Sequence, residues 1–181
     1  LSATQAHPSV GFPLNEQLPD IARIGENYQF VINSQTFESD KGEAIQYQAH
    51  GLPDWLSFDS SSLKLSGSPT GNDTTGQVDF VLEGTDSEGS LNKSCSIYLS
   101  DQPAPVINAN ETIIDQLQKM GTTNGYKGII LKAQDTFSFK FDSDTFQLPS
   151  SSSNKLVAYY GKSANRTSLP SWGFFDADTL T

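Results

Sequence analysis

The sequence predicts an all-β protein made of two tandem β-sandwiches, the second incomplete, with one short helix near residues 111–120. Hydrophobic residues make up 35% of the chain and charged residues 18%, a balance typical of short strands joined by polar turns. Several short segments alternate apolar and polar residues, as half-buried strands do. One motif occurs twice, each copy contains one of the two tryptophans, and such a repeat indicates tandem modules.

The first module is predicted at residues 1–102, with residues 1–18 as an N-terminal arm. Four alternating segments predict its strands. Their apolar positions are Tyr28, Phe30 and Ile32; Ile45, Tyr47 and Ala49; Val78, Phe80 and Leu82; and Cys95, Ile97 and Leu99. The run Asp86–Gly89 is typical of a hairpin turn. Pro103 and Pro105 indicate a linker, since proline removes a backbone donor and fixes φ.

The second module is predicted at residues 103–181. Asn110 is expected to cap a helix that ends at Gly121. Its apolar side chains are Ile113, Ile114, Leu117 and Met120. Phe137, Phe139 and Phe141 then predict a strand, and residues 156–160 a further one. Counterparts of the strands that follow Asp59 in the first copy are missing, so we expect this module to be truncated at its C-terminal side, with open sheet edges.

The repeated motif has the pattern Leu-Pro-x-Trp-x-x-Phe-Asp. It comprises Leu52, Pro53, Trp55, Phe58 and Asp59 in the first copy and Leu169, Pro170, Trp172, Phe175 and Asp176 in the second. We expect the leucines and tryptophans in the core between two sheets and the aspartates bonded to turn amides. Carbohydrate binding by the tryptophans is the alternative, and solvent exposure of either tryptophan would favour it.

These motifs, with Gly67-x-Pro69 and Leu82-Glu-Gly-Thr-Asp86, resemble the dystroglycan-type cadherin-like module, which has an immunoglobulin-like sandwich fold. More narrowly, nearly the whole chain resembles the ectodomain of the axial bud-site landmark glycoproteins of budding yeasts. Thr123-Asn-Gly125 and Tyr159-Tyr-Gly161 fit the second module of that family.

The resemblance implies the extracellular recognition or scaffold portion of a type I plasma-membrane glycoprotein that marks the axial bud site and directs cell polarity. The alternative is a cell-surface adhesin that binds itself or cell-wall glycan, with or without calcium. Expected partners are other cell-surface or cell-wall proteins, or a second copy paired through open sheet edges. The expected location is the outer side of the plasma membrane, reached through the secretory pathway.

The sequence contains candidates for two kinds of site, one for N-glycosylation and one for calcium. Four Asn-x-Ser/Thr sequons predict N-glycosylation. Their acceptors are Asn72, Asn92, Asn110 and Asn165. No cofactor is required, but cadherin relatives hold calcium with clustered carboxylates, and calcium takes six to eight oxygen ligands. The calcium candidates are Glu26, Asp86, Glu88 and Asp101.

Other functions are disfavoured. The formal net charge of −10 opposes binding to nucleic acid phosphates. The single cysteine, Cys95, precludes a disulfide within the chain and is expected to be buried and inert. His7 lies in the predicted N-terminal arm, and His50 has no obvious nucleophile or acid partner. Asp176 and Asp178 could form a pair of catalytic carboxylates, but Asp176 corresponds to the turn residue Asp59 in the repeat, which favours a structural role. We therefore predict no enzymatic activity.

Overall fold

A computed structural model of the protein describes residues 8–126, 128–149, 159–164, 166 and 168–181. The described residues divide into two compact units. The first contains residues 8–102 together with Ala164 and Arg166, and the second contains the described parts of 103–163 and 168–181. Residues 156–158 of the strand predicted at 156–160, and the predicted glycan acceptor Asn165, lie outside the described residues.

The first unit contains nine short strands and one helical turn. In chain order these are β1 (Ser9–Val10), α1 (Leu14–Gln17), β2 (Ile21–Arg23), β3 (Tyr28–Val31), β4 (Phe37–Glu38), β5 (Gln46–His50), β6 (Leu56–Asp59), β7 (Lys64–Gly67), β8 (Gly76–Thr85) and β9 (Ser90–Ser100). The described part of the second unit contains β10 (Val106–Ile107), α2 (Ile113–Met120) and β11 (Phe146–Gln147).

The first unit is a β-sandwich. One sheet has the strand order β2-β9-β8-β5 and the other has the order β3-β7-β6, while β1 pairs with β4. Alternate side chains of both sheets point inward, as the predicted period of two requires. The buried apolar residues include Tyr28, Ile32, Tyr47, Leu65, Phe80, Leu82, Cys95, Ile97 and Leu99. The predicted all-β class is confirmed, and each of the four predicted strands is present.

The N-terminal residues belong to this sandwich. Leu14, the first residue of the turn α1, and Leu18, which follows it, were expected in an arm but are buried in the core. The Asn15 carboxamide bonds the backbone of Ser94 and Ser96 at the edge of β9. The expected arm is therefore wrong for residues 8–18, because their apolar side chains fill the core and Asn15 covers an otherwise open strand edge.

The helix of the second unit is confirmed, but its cap differs from the prediction. Thr112, not Asn110, is the N-cap, and its side chain and that of Asp115 form a reciprocal capping box. The Thr112 hydroxyl oxygen accepts from the Asp115 backbone N–H, and the Asp115 carboxylate accepts from the Thr112 backbone N–H. Within the described ranges, no helix is long and apolar enough to cross a membrane.

Other predicted strands of the second unit are not formed. Residues 137–141 have no strand in the structure, and Tyr159 and Tyr160 lie outside any strand. Phe139 is nevertheless buried, and its ring meets Phe141 edge-on at 4.4 Å between centroids. Phe139 and Phe141 therefore pack together while Phe137 is exposed, and the described backbone around them has no neighbouring strand to complete a ladder.

A buried glutamine organises the start of the first unit. Gln17 is 1% exposed, and its Nε2 donates to the carbonyl of Phe12 at 2.8 Å and to Oγ1 of Thr36 at 3.0 Å. Its Oε1 accepts from the Asn33 backbone N–H at 3.1 Å. Thr36 Oγ1 in turn donates to the Asn33 carbonyl at 2.7 Å. The carboxamide thus joins α1 to the loop before β4.

The same network occurs in the second unit. Gln116 is 4% exposed, and its Nε2 donates to the Glu111 carbonyl at 3.2 Å and to Thr145 Oγ1 at 2.8 Å. Its Oε1 accepts from the Asp142 N–H at 2.9 Å, and Thr145 Oγ1 donates to the Asp142 carbonyl at 2.6 Å. The two units therefore share a buried polar frame, which we call the glutamine clamp.

We expect Gln17→Leu to lower the free energy of unfolding of the first unit by about 1–3 kcal/mol, because the Asn33 N–H and the Phe12 carbonyl lose their partners. Urea unfolding followed by Trp55 fluorescence in a Trp172→Phe background measures this. The matched control is Gln48→Leu on the exposed face of β5, which should change stability by less than about 0.5 kcal/mol. Equal stability of the two variants would contradict the role of the clamp.

Candidate functional site

The first copy of the tryptophan motif is a packed corner of the sandwich. Trp55 lies just before β6, is half-buried, and meets the Tyr28 ring edge-on at 6.2 Å between centroids. Gly67 of β7 packs directly beneath it, since a Cβ there would lie 1.9 Å from the Trp55 carbonyl oxygen. Tyr28 donates its hydroxyl to the Pro19 carbonyl, and burial raises its pKa. This copy has the predicted structural role.

The second copy of the tryptophan motif leaves its tryptophan exposed to solvent. The Trp172 residue is 82% exposed and Phe174 is 87% exposed, so the predicted core position of Trp172 is wrong. Leu169 and Phe175 of the same motif are half-buried, and the Phe175 ring meets Phe141 at 6.3 Å. In the described residues nothing equivalent to β7 covers Trp172. Trp172 and Phe174 thus expose two large aromatic side chains within three residues.

Both motif aspartates close the same turn. Asp59 accepts from the backbone N–H and the hydroxyl of Ser61 and from the hydroxyl of Ser62, and these bonds lower its pKa to about 2. Asp176 accepts from the Thr179 hydroxyl and the Asp178 N–H, which also lower its pKa. These bonds match the turn role expected of Asp59 and Asp176.

Three of the four predicted glycan acceptors are described, and all three are exposed. Asn72 lies in the turn between Thr70 and Asp73, and Asn92 lies on β9 opposite Glu83 with its side chain on the outer face. Asn110 precedes α2 and is free of the capping role expected for it. The side chains therefore meet the accessibility requirement for glycosylation, which stays a prediction.

The calcium candidates are not brought together. Asp86 accepts from the backbone N–H groups of Glu88 and Gly89 in the β8–β9 turn, and Glu88 pairs with Lys41. Asp101 follows the far end of β9, roughly 33 Å away at ~3.3 Å per residue. Glu26 lies at that far end too, because β2 runs parallel to the end of β9. Among the described residues no group of three or more metal-ligating side chains is gathered.

The residues with catalytic potential are dispersed. His50 has an acidic partner that the sequence did not reveal, since its Nε2 lies 2.7 Å from Glu83 Oε2 on the outer face of the sheet. This bond lowers the Glu83 pKa. Cys95 is buried as predicted, and burial raises its pKa to about 11, which disfavours the reactive thiolate. His7 lies outside the described residues.

Comparisons with known proteins agree with this architecture. Residues 14–100 match the sequence profile of the family described as "Putative Ig domain". The chain is also 34% identical over 185 residues to Axial budding pattern protein 2 of Saccharomyces cerevisiae. The predicted resemblance to the axial bud-site landmark ectodomain is confirmed. The match includes 97% of this chain but only 22% of the yeast relative, so the chain spans about a fifth of that protein.

Solved structures with similar folds are more distant. Human protocadherin-24, in a structure of its first two extracellular repeats, is 13% identical with a TM-score of 0.39, over 59% of this chain and 51% of that one. An endo-fucoidan hydrolase of glycoside hydrolase family 107 is 24% identical with a TM-score of 0.45, over 60% of this chain and 16% of that one.

We expect production in a eukaryotic host to add glycans at Asn72, Asn92 and Asn110, because all three side chains are exposed. Intact-mass spectrometry before and after enzymatic deglycosylation counts the glycans. Asn92→Gln and Ser94→Ala each destroy the same sequon, by the acceptor or by the hydroxyl, and should remove the same single glycan. A mass equal to that of the bare polypeptide would refute this prediction.

Proposed function

We propose that this chain is the extracellular, non-catalytic recognition and scaffold portion of a plasma-membrane glycoprotein that marks the axial bud site and directs cell polarity. The observation that carries the proposal is the 34% identity to Axial budding pattern protein 2 across 97% of the chain. Because that match includes both units and both copies of the tryptophan motif, it supports a common use of the whole two-module segment.

The chemistry of the surface supports a binding role over a catalytic one. Several of its polar groups are engaged in turns and caps, as Asp59, Asp86 and Thr112 illustrate. Within the described ranges His50 and Cys95 lie apart, one paired with Glu83 on an outer face and the other in the core. A recognition module needs a rigid frame and an exposed surface rather than a reactive group, and this chain has both.

Cell-surface location, membrane anchorage and glycosylation are parts of the same proposal. The exposed acceptors Asn72, Asn92 and Asn110 support passage through a compartment where sequons are modified. The formal charge of −10 supports solubility outside the cell and disfavours nucleic acid partners. The proposed function requires no cofactor, and calcium binding stays a separate hypothesis.

The second candidate function is an adhesin that binds itself or cell-wall glycan. The exposed Trp172 and Phe174 favour it, since aromatic side chains supply much of the binding energy at recognition surfaces. The partner of such an adhesin would contact the second unit, whereas a polarity scaffold would depend on both units. Trp172→Ser therefore separates the two candidates.

Exchange of the matching segment in Saccharomyces cerevisiae tests the proposal. Cells whose Axial budding pattern protein 2 carries this chain in place of its own matching residues should keep axial budding, scored by bud-scar staining. An epitope tag measures the surface level of each protein. Loss of the axial pattern at a normal surface level would overturn the proposal.

Two variants sharpen the exchange. Gln17→Leu combined with Gln116→Leu should reduce axial budding in proportion to its loss of surface protein, because it weakens both units. Trp172→Ser should fold normally, since its side chain is exposed. Retained axial budding with lost cell–cell or cell–wall adhesion in Trp172→Ser would favour the adhesin candidate.

A further inference from the structure

A cleft opens at one end of the first unit, where the loops on either side of β4 meet the β6–β7 turn. Its volume is about 580 Å³, and it is lined by residues of the segment 34–47 and by residues of the segment 60–63. Both segments belong to the first unit. A cleft of this volume lies within the range of small-ligand sites in proteins.

The floor of the cleft is apolar. The rings of Phe37 and Tyr47 lie 5.7 Å apart between centroids, and both residues are almost fully buried beneath the cleft. Gly84 of β8 makes room for Phe37, since a Cβ there would lie 2.4 Å from that ring. Ile45 and Leu63 are half-buried and complete the floor. Such a floor packs against the C–H groups of a ligand.

The rim of the cleft carries neutral hydrogen-bonding groups. Gln35 contributes a carboxamide and four serines contribute hydroxyls, and all of these groups can both donate and accept. The serines are Ser34, Ser39, Ser60 and Ser61. The cleft therefore combines an apolar floor with a ring of groups that match the hydroxyls of a polar, uncharged ligand.

The charged groups around the cleft narrow the class of ligand. Its lining contains the carboxylates of Glu38 and Glu43, and Lys41 of the same loop pairs instead with Glu88 in the β8–β9 turn. Glu43 accepts from the backbone N–H and the hydroxyl of Ser87. Two carboxylates repel phosphates and acidic sugars. A cation needs acceptors alone, so the many donors on the rim favour a neutral ligand.

Internal bonds hold the walls of the cleft in place. The Tyr47 hydroxyl donates to the Ser34 carbonyl and accepts from the Phe37 N–H, each at 3.0 Å. The Leu63 carbonyl accepts from the Ile32 N–H at 2.8 Å. The glutamine clamp fixes the loop before β4, and the bonds to the β8–β9 turn fix the loop after it. A ligand thus meets a preformed site, which lowers the entropic cost of binding.

We propose that this cleft binds a neutral saccharide, as a short stretch of an uncharged glycan. The C–H face of a sugar ring packs on the apolar floor, and its hydroxyls exchange hydrogen bonds with Gln35, Glu38 and the rim serines. Each sugar hydroxyl donates and accepts at once, as the rim groups do. The site lies in the first unit and does not involve Trp172, the exposed residue on which the adhesin candidate rests.

Heteronuclear NMR of the full isotope-labelled chain, produced in bacteria so that it carries no glycans of its own, tests the site. The probes are the neutral trisaccharides maltotriose, laminaritriose, mannotriose and chitotriose. At least one should shift the backbone amide signals of residues 34–45 and 60–63 saturably, with half-saturation below about 10 mM. Trigalacturonate and trilysine are charged control probes, and they should leave these signals unchanged.

A pair of double variants tests the contacts. Gln35→Ala with Glu38→Ala removes a carboxamide and a carboxylate from the rim and should weaken binding at least about tenfold. The matched control, Gln48→Ala with Asp79→Ala, removes the same two groups from the outer face of β5 and β8 and should bind normally. All four side chains are exposed, so both variants should fold, and their amide spectra check this.

Absence of a localised shift with every neutral trisaccharide at about 10 mM would overturn the proposal. So would shifts centred on Trp172, equal shifts with trilysine or trigalacturonate, or equal binding by the two double variants.

The saccharide cleft is independent of the bud-site role. Saccharide binding is measured on the purified chain, whereas the exchange in yeast scores budding, so either can fail without the other.

Discussion

A buried side-chain carboxamide is the constraint on which both units depend. Each clamp glutamine, Gln17 or Gln116, is nearly inaccessible to water, so its two donors and its acceptor need partners inside the protein. A single arrangement satisfies them, with one threonine hydroxyl, one carbonyl five residues upstream and one backbone N–H three residues before the threonine. Displacement of α1 or α2, or of the loop before β4 or β11, would leave a buried polar group unpaired. The clamp thus holds the helix of each unit against that loop.

The same frame carries two different surfaces. In the first unit β7 completes the sandwich, so Trp55 packs against Tyr28 and the tryptophan motif is structural. In the second unit the turn closed by Asp176 and the left-handed Leu180 are in place, yet Trp172 remains exposed. One motif therefore supports stability in one copy and exposes an aromatic surface in the other.

Sequence alone predicted the first unit well, because Phe80, Leu82, Ile97 and their neighbours alternate cleanly and each has a partner strand. It failed for residues 137–141, where the same alternation has no neighbouring strand among the described residues. Trp172 was predicted as core from its equivalence to Trp55, but burial depends on the covering strand rather than on the motif. The clamp was missed because it contains no large apolar residue. Its signal was nevertheless present: Asn33-Ser-Gln-Thr-Phe37 and Asp142-Ser-Asp-Thr-Phe146 share one pattern.

Backbone hydrogen exchange at Asn33 and Asp142 tests the shared clamp most directly. Each amide donates to a glutamine Oε1, at 3.1 Å and 2.9 Å respectively, so both should exchange far more slowly than amides of exposed turns. Gln17→Leu should abolish the protection at Asn33 and leave that at Asp142 intact, and Gln116→Leu should do the reverse. Fast exchange at both amides in the unmodified chain, or protection that survives both substitutions, would contradict the account.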